Sequence, residues 1–196
     1  AVAAVEELSG VVPSYFETLT AAAFRWFADL AVDVAVVEVG LLGRYDATNV
    51  ADATVAVVTN VGRDHTDGQG AWRAAIAQEK AGIIKLDSHL VLGEADPDLR
   101  AVFAAEPAEL AWIRGEHFGC DVDRLAFGGH LVDLRTPSGT VDEVFVPVHG
   151  AHQADNAAVA LAAVDAFFGG LPDADLVREA FGRLTLPGRF EGVSHE

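Results

Sequence analysis

Two side chains that could bind a metal ion or a phosphate follow apolar, β-branched runs of the chain. Glu38 comes directly after residues 32–37, and His65 lies a few positions after residues 54–59. In open α/β sheets, ligands bind at the carboxyl ends of parallel strands. A carboxylate and an imidazole at two such ends therefore predict a site compatible with magnesium or phosphate. The alternatives are a solvated loop glutamate and a histidine that is hydrogen-bonded within its loop.

A third candidate is Lys80, which lies near the end of an alanine-rich segment of helical character. Lys80 and Lys85 are the only lysines in the chain. A lysine near a helix end is also explained by its favourable interaction with the C-terminal end of the helix dipole. Residue type and position leave both explanations open for Lys80.

These candidates need a scaffold that brings strand ends together, and the apolar pattern predicts one. Helical periodicity covers residues 14–30 and 71–81, and short apolar runs at 32–37, 54–59 and 90–92 predict buried parallel strands. Strands that alternate with helices are typical of an α/β fold with a doubly wound, mostly parallel sheet. This is the predicted fold class.

The pattern changes in the second half of the chain. Turns that contain glycine or proline at 127–130 and 136–139 predict a small antiparallel excursion around residues 111–148. Alanine-rich periodicity then predicts helices at 151–168 and 173–183.

The charge balance restricts the classes of partner. The 196 residues include 13 basic and 30 acidic side chains, for a net charge of −17. Such a field repels a polyphosphate backbone and an anionic membrane surface, so neither nucleic acid nor membrane is expected as a partner. An anionic nucleotide would need a local reversal of this field, most simply by a divalent metal ion and a few arginines.

The remaining composition favours a cytoplasmic protein. Cys120 is the only cysteine and cannot form an internal disulfide, so a structural thiol in a reducing cytosol is expected. No apolar run approaches eighteen residues, and the first residues lack the basic flank of a signal peptide. The chain contains no methionine, so we expect it to be an excerpt of a longer protein.

Six short motifs occur in order along nearly the whole chain: Pro13–Thr20, Glu38–Asn49, Asp64–Thr66, Glu79–Lys85, Gly150–Asn156 and Pro187–Glu191. Together they resemble the signatures of the folylpolyglutamate and dihydrofolate synthases, which belong to the Mur ligase superfamily. Each motif is weak alone, but six in order make coincidence improbable.

The resemblance implies a metal centre. In this family, the residues at the positions of Glu38 and His65 bind magnesium. Lys80 corresponds to a lysine that is carbamylated, its neutral amine having captured carbon dioxide to become a carboxylate that supports a metal ion. Such capture requires a deprotonated amine, which burial favours by lowering the pKa of a lysine.

The resemblance also implies nucleotide and substrate contacts. Asn156 is similar to the residue that reads the adenine, and Arg189 is similar to the one that reaches the triphosphate. Phe16, with Ser14 and Asp46, resembles part of the pterin pocket, where an aromatic face stacks on a flat heterocycle.

The implied reaction is an ATP-dependent ligation. The carboxylate of dihydropteroate or of a folate attacks the γ-phosphate of ATP, and the amine of L-glutamate then displaces phosphate from the acyl phosphate. Mg²⁺ neutralises charge on the transferred group. A monomer is expected for the parent enzyme.

The resemblance further predicts how the chain is divided. Residues 1–186 are expected to form the central ATP- and magnesium-binding domain, and residues 187–196 a hinge into a C-terminal glutamate domain. Neither lysine follows a glycine, so the family's phosphate loop is missing and this piece is expected to be inactive alone. The sequence also departs from the family pattern at Leu42 and Arg63. The alternatives are a related ligase with a different acceptor and a noncatalytic interaction module.

Overall fold

The structure is a computed structural model that describes Glu7, residues 10–62 and residues 70–186. In chain order, the helices are α1 Tyr15–Leu30, α2 Trp72–Ala81, α3 Pro97–Ala104, α4 His152–Phe168 and α5 Ala174–Gly182, with a 3₁₀ helix at Ala47–Val50. The strands are β1 Val55–Val58, β2 His89–Leu92, β3 Leu110–Ile113, β4 Gly119–Ala126, β5 Gly129–Thr136 and β6 Gly139–Val146. None of the helices in these described ranges is long and apolar enough to cross a membrane.

The first sheet is parallel, with the strand order β1-β2-β3. On one face, side chains such as Ala56 and Leu92 pack with Ile76 of α2 and Phe103 of α3. On the other face, Val91 packs in a core that includes the alanines of α4. Helices therefore cover both faces, which confirms the predicted doubly wound fold. Apart from His89, the residues of these short strands are apolar, because helices cover both faces of the sheet.

The second sheet is antiparallel, with the order β4-β5-β6, and it confirms the predicted antiparallel excursion. Its predicted start at residue 111 was too early, because β3 (Leu110–Ile113) pairs in parallel with β2. Helix α3 makes this pairing possible, since it supplies the crossover that parallel strands require. Two residues in the sequence mark the start of α3. The side chain of Asp96 caps the helix, and Pro97 occupies the first turn of the helix.

The strand predicted at residues 32–37 is wrong, because this segment forms no strand in the described structure. It is exposed, and Val36 retains 94% of its accessible surface. The apolar, β-branched pattern is typical of a buried strand, but a strand also needs a hydrogen-bonded neighbour. No strand among the described residues pairs with this segment. Helix α1, which precedes it, likewise contains no buried residue.

Very close packing occurs where β2 ends, at Gly93. A Cβ atom added there would lie 2.4 Å from the carbonyl oxygen of Thr59, which follows β1, and 2.8 Å from Cγ2 of Val159 in α4. The Gly93 N–H also donates to the Val58 carbonyl at 2.7 Å. Gly93 therefore lets β1, β2 and α4 approach one another where the parallel strands end, which we call the carboxyl edge.

Replacing Gly93 with alanine should destabilise the protein by about 1–3 kcal/mol, because a backbone oxygen at 2.4 Å cannot move away cheaply. Gly170→Ala is the matched control, since an added Cβ there meets no atom within 4 Å. Urea unfolding of the natural protein that contains this chain measures both changes. Equal stability of the two variants would contradict the packing argument.

Candidate functional site

The loop of residues 38–49, which carries Glu38, is bound to the C-terminal end of α2. The backbone N–H of Arg44 donates to the Glu79 carbonyl at 2.8 Å. The side-chain amide of Asn49 donates to the Gly82 carbonyl at 3.0 Å and to the Arg44 carbonyl at 2.9 Å. The last carbonyls of a helix lack partners within the helix. Here, the 38–49 loop supplies donors for them and is thereby held in place.

Two glycines allow this close contact between the loop and the helix. A Cβ atom on Gly43 would lie 2.8 Å from the Glu79 carbonyl oxygen and 3.2 Å from Cα of Lys80. A Cβ atom on Gly82 would lie 2.5 Å from Cβ of Arg44. The 38–49 loop therefore packs on the helical turn that contains the half-buried Lys80. The structure brings the segment that carries Glu38 and the turn that carries Lys80 together.

A cavity of about 260 Å³, which we call the α1 cavity, lies between α1 and the segment that ends at Glu38. Its lining includes Phe16 and Glu38, with Thr48 from the 3₁₀ helix. The ring of Phe16 lies against the backbone of Gly40, where an added Cβ would be only 2.3 Å from the ring carbon Cζ. One aromatic face and one carboxylate, both predicted from the sequence as site residues, thus line the same cavity.

Ser14 caps helix α1. Its hydroxyl oxygen accepts a hydrogen bond from the Glu17 N–H at 3.2 Å, and the Glu17 carboxylate accepts one from the Ser14 N–H at 2.6 Å. The hydrogen bond with the side chain of Ser14, followed by that from its backbone, lowers the pKa of Glu17. This capping box fixes the start of the helix that carries Phe16. A direct contact of Ser14 with a substrate stays a prediction.

Asp46 organises the 38–49 loop from within. Its carboxylate accepts hydrogen bonds from the Thr48 N–H at 2.9 Å, the Thr48 hydroxyl at 2.6 Å and the Leu41 N–H at 2.8 Å. Partial burial raises the pKa of the Asp46 carboxyl, but these hydrogen bonds together outweigh it and bring the pKa below its usual value. Both carboxylate oxygens are therefore engaged within the protein. The predicted substrate contact of Asp46 stays untested.

Asn156 lies at a different place, on α4. Its side-chain amide donates to Gln153 at 3.2 Å, and both residues line a mostly apolar groove of about 690 Å³ between α4 and α5. The neighbouring Asp155 accepts a hydrogen bond from Arg114 at 2.8 Å, and Arg114 also donates to the Gly93 carbonyl at 2.8 Å. The N-terminal end of α4 is thereby tied to the carboxyl edge. The α4–α5 groove and the α1 cavity share no lining residue.

Two predicted site residues, His65 and Arg189, lie outside the described residues, as does the predicted hinge 187–196. Within the described ranges, no group of three or more His, Cys, Asp or Glu side chains could hold a metal ion. The described residues nevertheless offer Mg²⁺ suitable chemistry, because it prefers oxygen ligands. Glu38, which carries a carboxylate, and Thr48, whose hydroxyl donates to Asp46, both line the α1 cavity.

Cys120, predicted to be a structural thiol, is partly buried in the antiparallel sheet. Its thiol donates to the Val122 carbonyl at 3.0 Å. Burial, and after it the negative charge of Asp123, raises the pKa of the thiol above its ordinary value. A thiol with a raised pKa carries little thiolate at neutral pH and is therefore a weak nucleophile.

Sequence reasoning missed a cluster of charged side chains at the carboxyl edge, formed by Arg73, Glu94 and Asp96. The sequence did contain a pattern that could have identified Glu94. Glu94 comes shortly after the apolar run at residues 90–92, as Glu38 comes after residues 32–37. Glu94 is buried, whereas Glu38 is exposed.

The chain resembles known proteins in sequence. A profile of the Mur ligase middle domain matches residues 16–164. The dihydrofolate synthase/folylpolyglutamate synthase of Mycobacterium tuberculosis is 45% identical over 195 residues, which cover 93% of this chain and 40% of that protein. The protein of the same name from Escherichia coli is 38% identical over 183 residues, covering 92% of this chain and 41% of that protein. The chain thus spans about two fifths of the length of these curated relatives.

Solved structures agree with the sequence comparison. The Mycobacterium tuberculosis folylpolyglutamate synthase complexed with ADP and AMPPCP superposes with a TM-score of 0.91 at 44% identity, covering 97% of this chain and 45% of that chain. A complex of FPGS with AMPPCP and folate superposes with a TM-score of 0.87 at 30% identity, covering 97% of this chain and 48% of that chain.

Replacing Asn49 with aspartate should release the 38–49 loop, because the carboxylate cannot donate to the Arg44 and Gly82 carbonyls and repels both. We expect a loss of about 1–3 kcal/mol in the free energy of unfolding, with faster hydrogen exchange in residues 38–49. Val50→Asp adds the same charge at an exposed neighbouring position and should leave both quantities nearly unchanged. An equal effect of the two variants would show that charge, and not the two hydrogen bonds, is responsible.

Proposed function

The chain belongs to the Mur ligase middle-domain family, and from that premise we propose that it is the ATP- and magnesium-binding part of a ligase that joins L-glutamate to dihydropteroate or to a folate. The names of the relatives support the choice of substrates. The observation that carries the proposal is the α1 cavity. It places an aromatic face, Phe16, and a carboxylate, Glu38, beside a loop that packs on the turn of Lys80.

The proposed reaction has two steps. A substrate carboxylate oxygen attacks the γ-phosphorus of ATP, so that a carbon–oxygen–phosphorus link forms, the bond to the β-phosphate oxygen breaks and ADP leaves. The neutral amine of L-glutamate then attacks the acyl carbon, phosphate leaves, and the nitrogen loses a proton to give the amide. Positioning dominates such phosphoryl transfers, since the protein contributes little covalent chemistry.

We assign the metal to Glu38, His65 and Lys80. When bound, Mg²⁺ supplies charge neutralisation on the transferred phosphoryl group. Glu38 offers a carboxylate, and Lys80 offers one only after its neutral amine has captured carbon dioxide. An intact-mass measurement under gentle ionisation tests the carbamate. An unmodified Lys80 in the nucleotide-loaded natural protein would refute this part of the assignment.

We assign the flat pterin ring to Phe16, with Ser14 and Asp46 organising its surroundings, and the nucleotide to Asn156 and Arg189. The hydrogen bonds of Ser14 and Asp46 support organising roles, since they fix the start of α1 and the fold of the 38–49 loop. The tie between Asp155 and Arg114 supports a nucleotide role for Asn156, because it holds the N-terminal end of α4 at the carboxyl edge.

The natural protein that contains this chain should release phosphate from ATP in the presence of L-glutamate and either dihydropteroate or tetrahydrofolate. The two acceptors distinguish dihydrofolate synthesis from extension of a glutamate tail. Omission of glutamate is the control, and the 196-residue chain alone should release none. Absence of glutamate-dependent phosphate release with both acceptors would contradict the proposed reaction and favour a different acceptor or a noncatalytic role.

Phe16→Ala should weaken the binding of dihydropteroate or folate by about tenfold or more, since aromatic stacking on a heterocycle contributes about 1–3 kcal/mol. Nucleotide affinity should change by less than about twofold. Trp26→Ala is the matched control, because Trp26 lies on the same helix but does not line the α1 cavity. Isothermal titration with each ligand measures the separation, and parallel losses of both affinities would indicate a packing role for Phe16.

A further inference from the structure

Arg114, the first residue after β3, joins three elements through one side chain. Its Nε donates to the Gly93 carbonyl, at the end of β2, at 2.8 Å. Its Nη1 donates to the carboxylate of Asp155, in the first turn of α4, at 2.8 Å. Arg114 therefore lies at the carboxyl edge, where α/β sheets bind their ligands.

The backbone of Arg114 is held as firmly as its side chain. Its N–H donates to the Leu92 carbonyl at 2.9 Å, and its carbonyl accepts a hydrogen bond from Nη2 of Arg100 at 3.3 Å. The guanidinium group thus extends from an anchored residue. Its planar fork, which a lysine cannot reproduce, sets the distance between the end of β2 and Asp155.

Helix α4 begins without a cap of its own. Ala151, which precedes it, makes no side-chain hydrogen bond to the helix, whereas side chains cap the starts of α1, α3 and α5. The first N–H groups of a helix have no partners within the helix, so a cap usually helps to fix where it starts. In α4, the ion pair of Asp155 with Arg114 supplies a side-chain tie that the cap does not.

Stability does not explain this ion pair. The side chains of Arg114 and Asp155 retain 25% and 46% of their accessible surface. Ion pairs that are so exposed contribute little to the free energy of folding, because water screens the charges and two side chains lose freedom. Charge-assisted hydrogen bonds are nevertheless short and directional. The main effect of the pair is therefore on the position of the helix start.

We propose that Arg114 is a positioning residue for the nucleotide, because through Asp155 it sets the place of Asn156, the next residue of α4. The inference rests on the proposed function, in which Asn156 reads the adenine. Consecutive residues of a helix are about 1.5 Å apart along its axis, so a shift of the first turn moves Asn156 together with Asp155. Hydrogen bonds weaken steeply when their geometry is disturbed. Arg114 acts through the helix and does not itself contact the nucleotide.

The preference for adenine over guanine reports on the position of Asn156. An asparagine amide can pair with the amino group and N7 of adenine at once, whereas guanine presents an acceptor at both places. A displaced amide loses this discrimination. A general loosening of the protein weakens the binding of both nucleotides alike. ADP and GDP are therefore the probes.

The test compares Arg114→Met with Arg135→Met in the natural protein that contains this chain. Arg135, in β5, is a matched control because it also binds a carboxylate and a backbone carbonyl, those of Asp121 at 3.1 Å and His117 at 3.2 Å. Neither of these partners lies on α4. Isothermal titration measures the Kd of ADP and of GDP, and urea unfolding measures stability.

Arg114→Met should raise the Kd of ADP about fivefold or more, as expected for a weakened hydrogen bond, with a smaller change in the Kd of GDP. The preference for ADP should fall accordingly. Arg135→Met should leave this preference at the wild-type value, whatever its effect on stability. An unchanged preference in Arg114→Met would overturn the positioning role.

Asp155→Ala separates positioning from direct contact, and it also serves if Arg114→Met does not fold. It breaks the same tie but keeps Arg114 and its bond to the Gly93 carbonyl. Both single variants and the double variant should lose the preference to the same extent, since they share one interaction. A normal preference in Asp155→Ala, or losses that add in the double variant, would overturn the positioning role and indicate that Arg114 contacts the nucleotide.

Asn156→Ala distinguishes this inference from the proposed function. Wild-type protein that prefers ADP but ligates no glutamate would refute the proposed function alone, because the variants would still decide the positioning role. A lost preference in Asn156→Ala with a normal one in Arg114→Met would overturn the positioning role alone. A normal preference in Asn156→Ala would refute both the assignment of the adenine to Asn156 and the positioning role.

Discussion

The close approach of β1, β2 and α4 at Gly93 is the constraint on which the described structure depends. Only a residue without a side chain lets the Thr59 carbonyl and Val159 come so near the end of β2. The Gly93 carbonyl then receives Arg114, which also binds Asp155 on α4. Steric contact and hydrogen bonding therefore fix two strand ends and the start of one helix, the end of α4 that carries Asn156, in a single place.

Helix α4 connects this region to the second sheet, because it packs against both the parallel and the antiparallel sheet. Its buried alanines let it lie close to the parallel sheet, and residues such as Leu161 share a core with Val132 and Val144 of the antiparallel sheet. At its far end, the Asp165 carboxylate binds the turn between β5 and β6 through Ser138. The antiparallel sheet is therefore attached to the parallel one mainly through this helix.

The fold was predictable from the sequence where burial is complete, and the site only in part. Residues 54–59 and 90–92 became strands because helices cover both faces and neighbouring strands satisfy their backbone groups. Residues 32–37 carry the same apolar signal, but periodicity does not reveal whether a hydrogen-bonding neighbour is present. Phe16 was identified through a motif, and Glu38 through a motif and its position after an apolar run, whereas their shared cavity depends on the path of the chain at Gly40. Glu94 was missed because burial, which distinguishes it from Glu38, is a property of the folded chain.

The exposed 32–37 segment also bears on colloidal behaviour. A β-branched segment that pairs with none of the described strands is a template on which a second chain can form a strand. The net charge of −17 opposes such contact through mutual repulsion. Dissolved salt shortens the range of that repulsion from about 10 Å at 0.1 M to about 3 Å at 1 M. Low ionic strength therefore keeps copies of this chain apart. Concentrated salt removes the electrostatic repulsion that opposes contact between their exposed 32–37 segments.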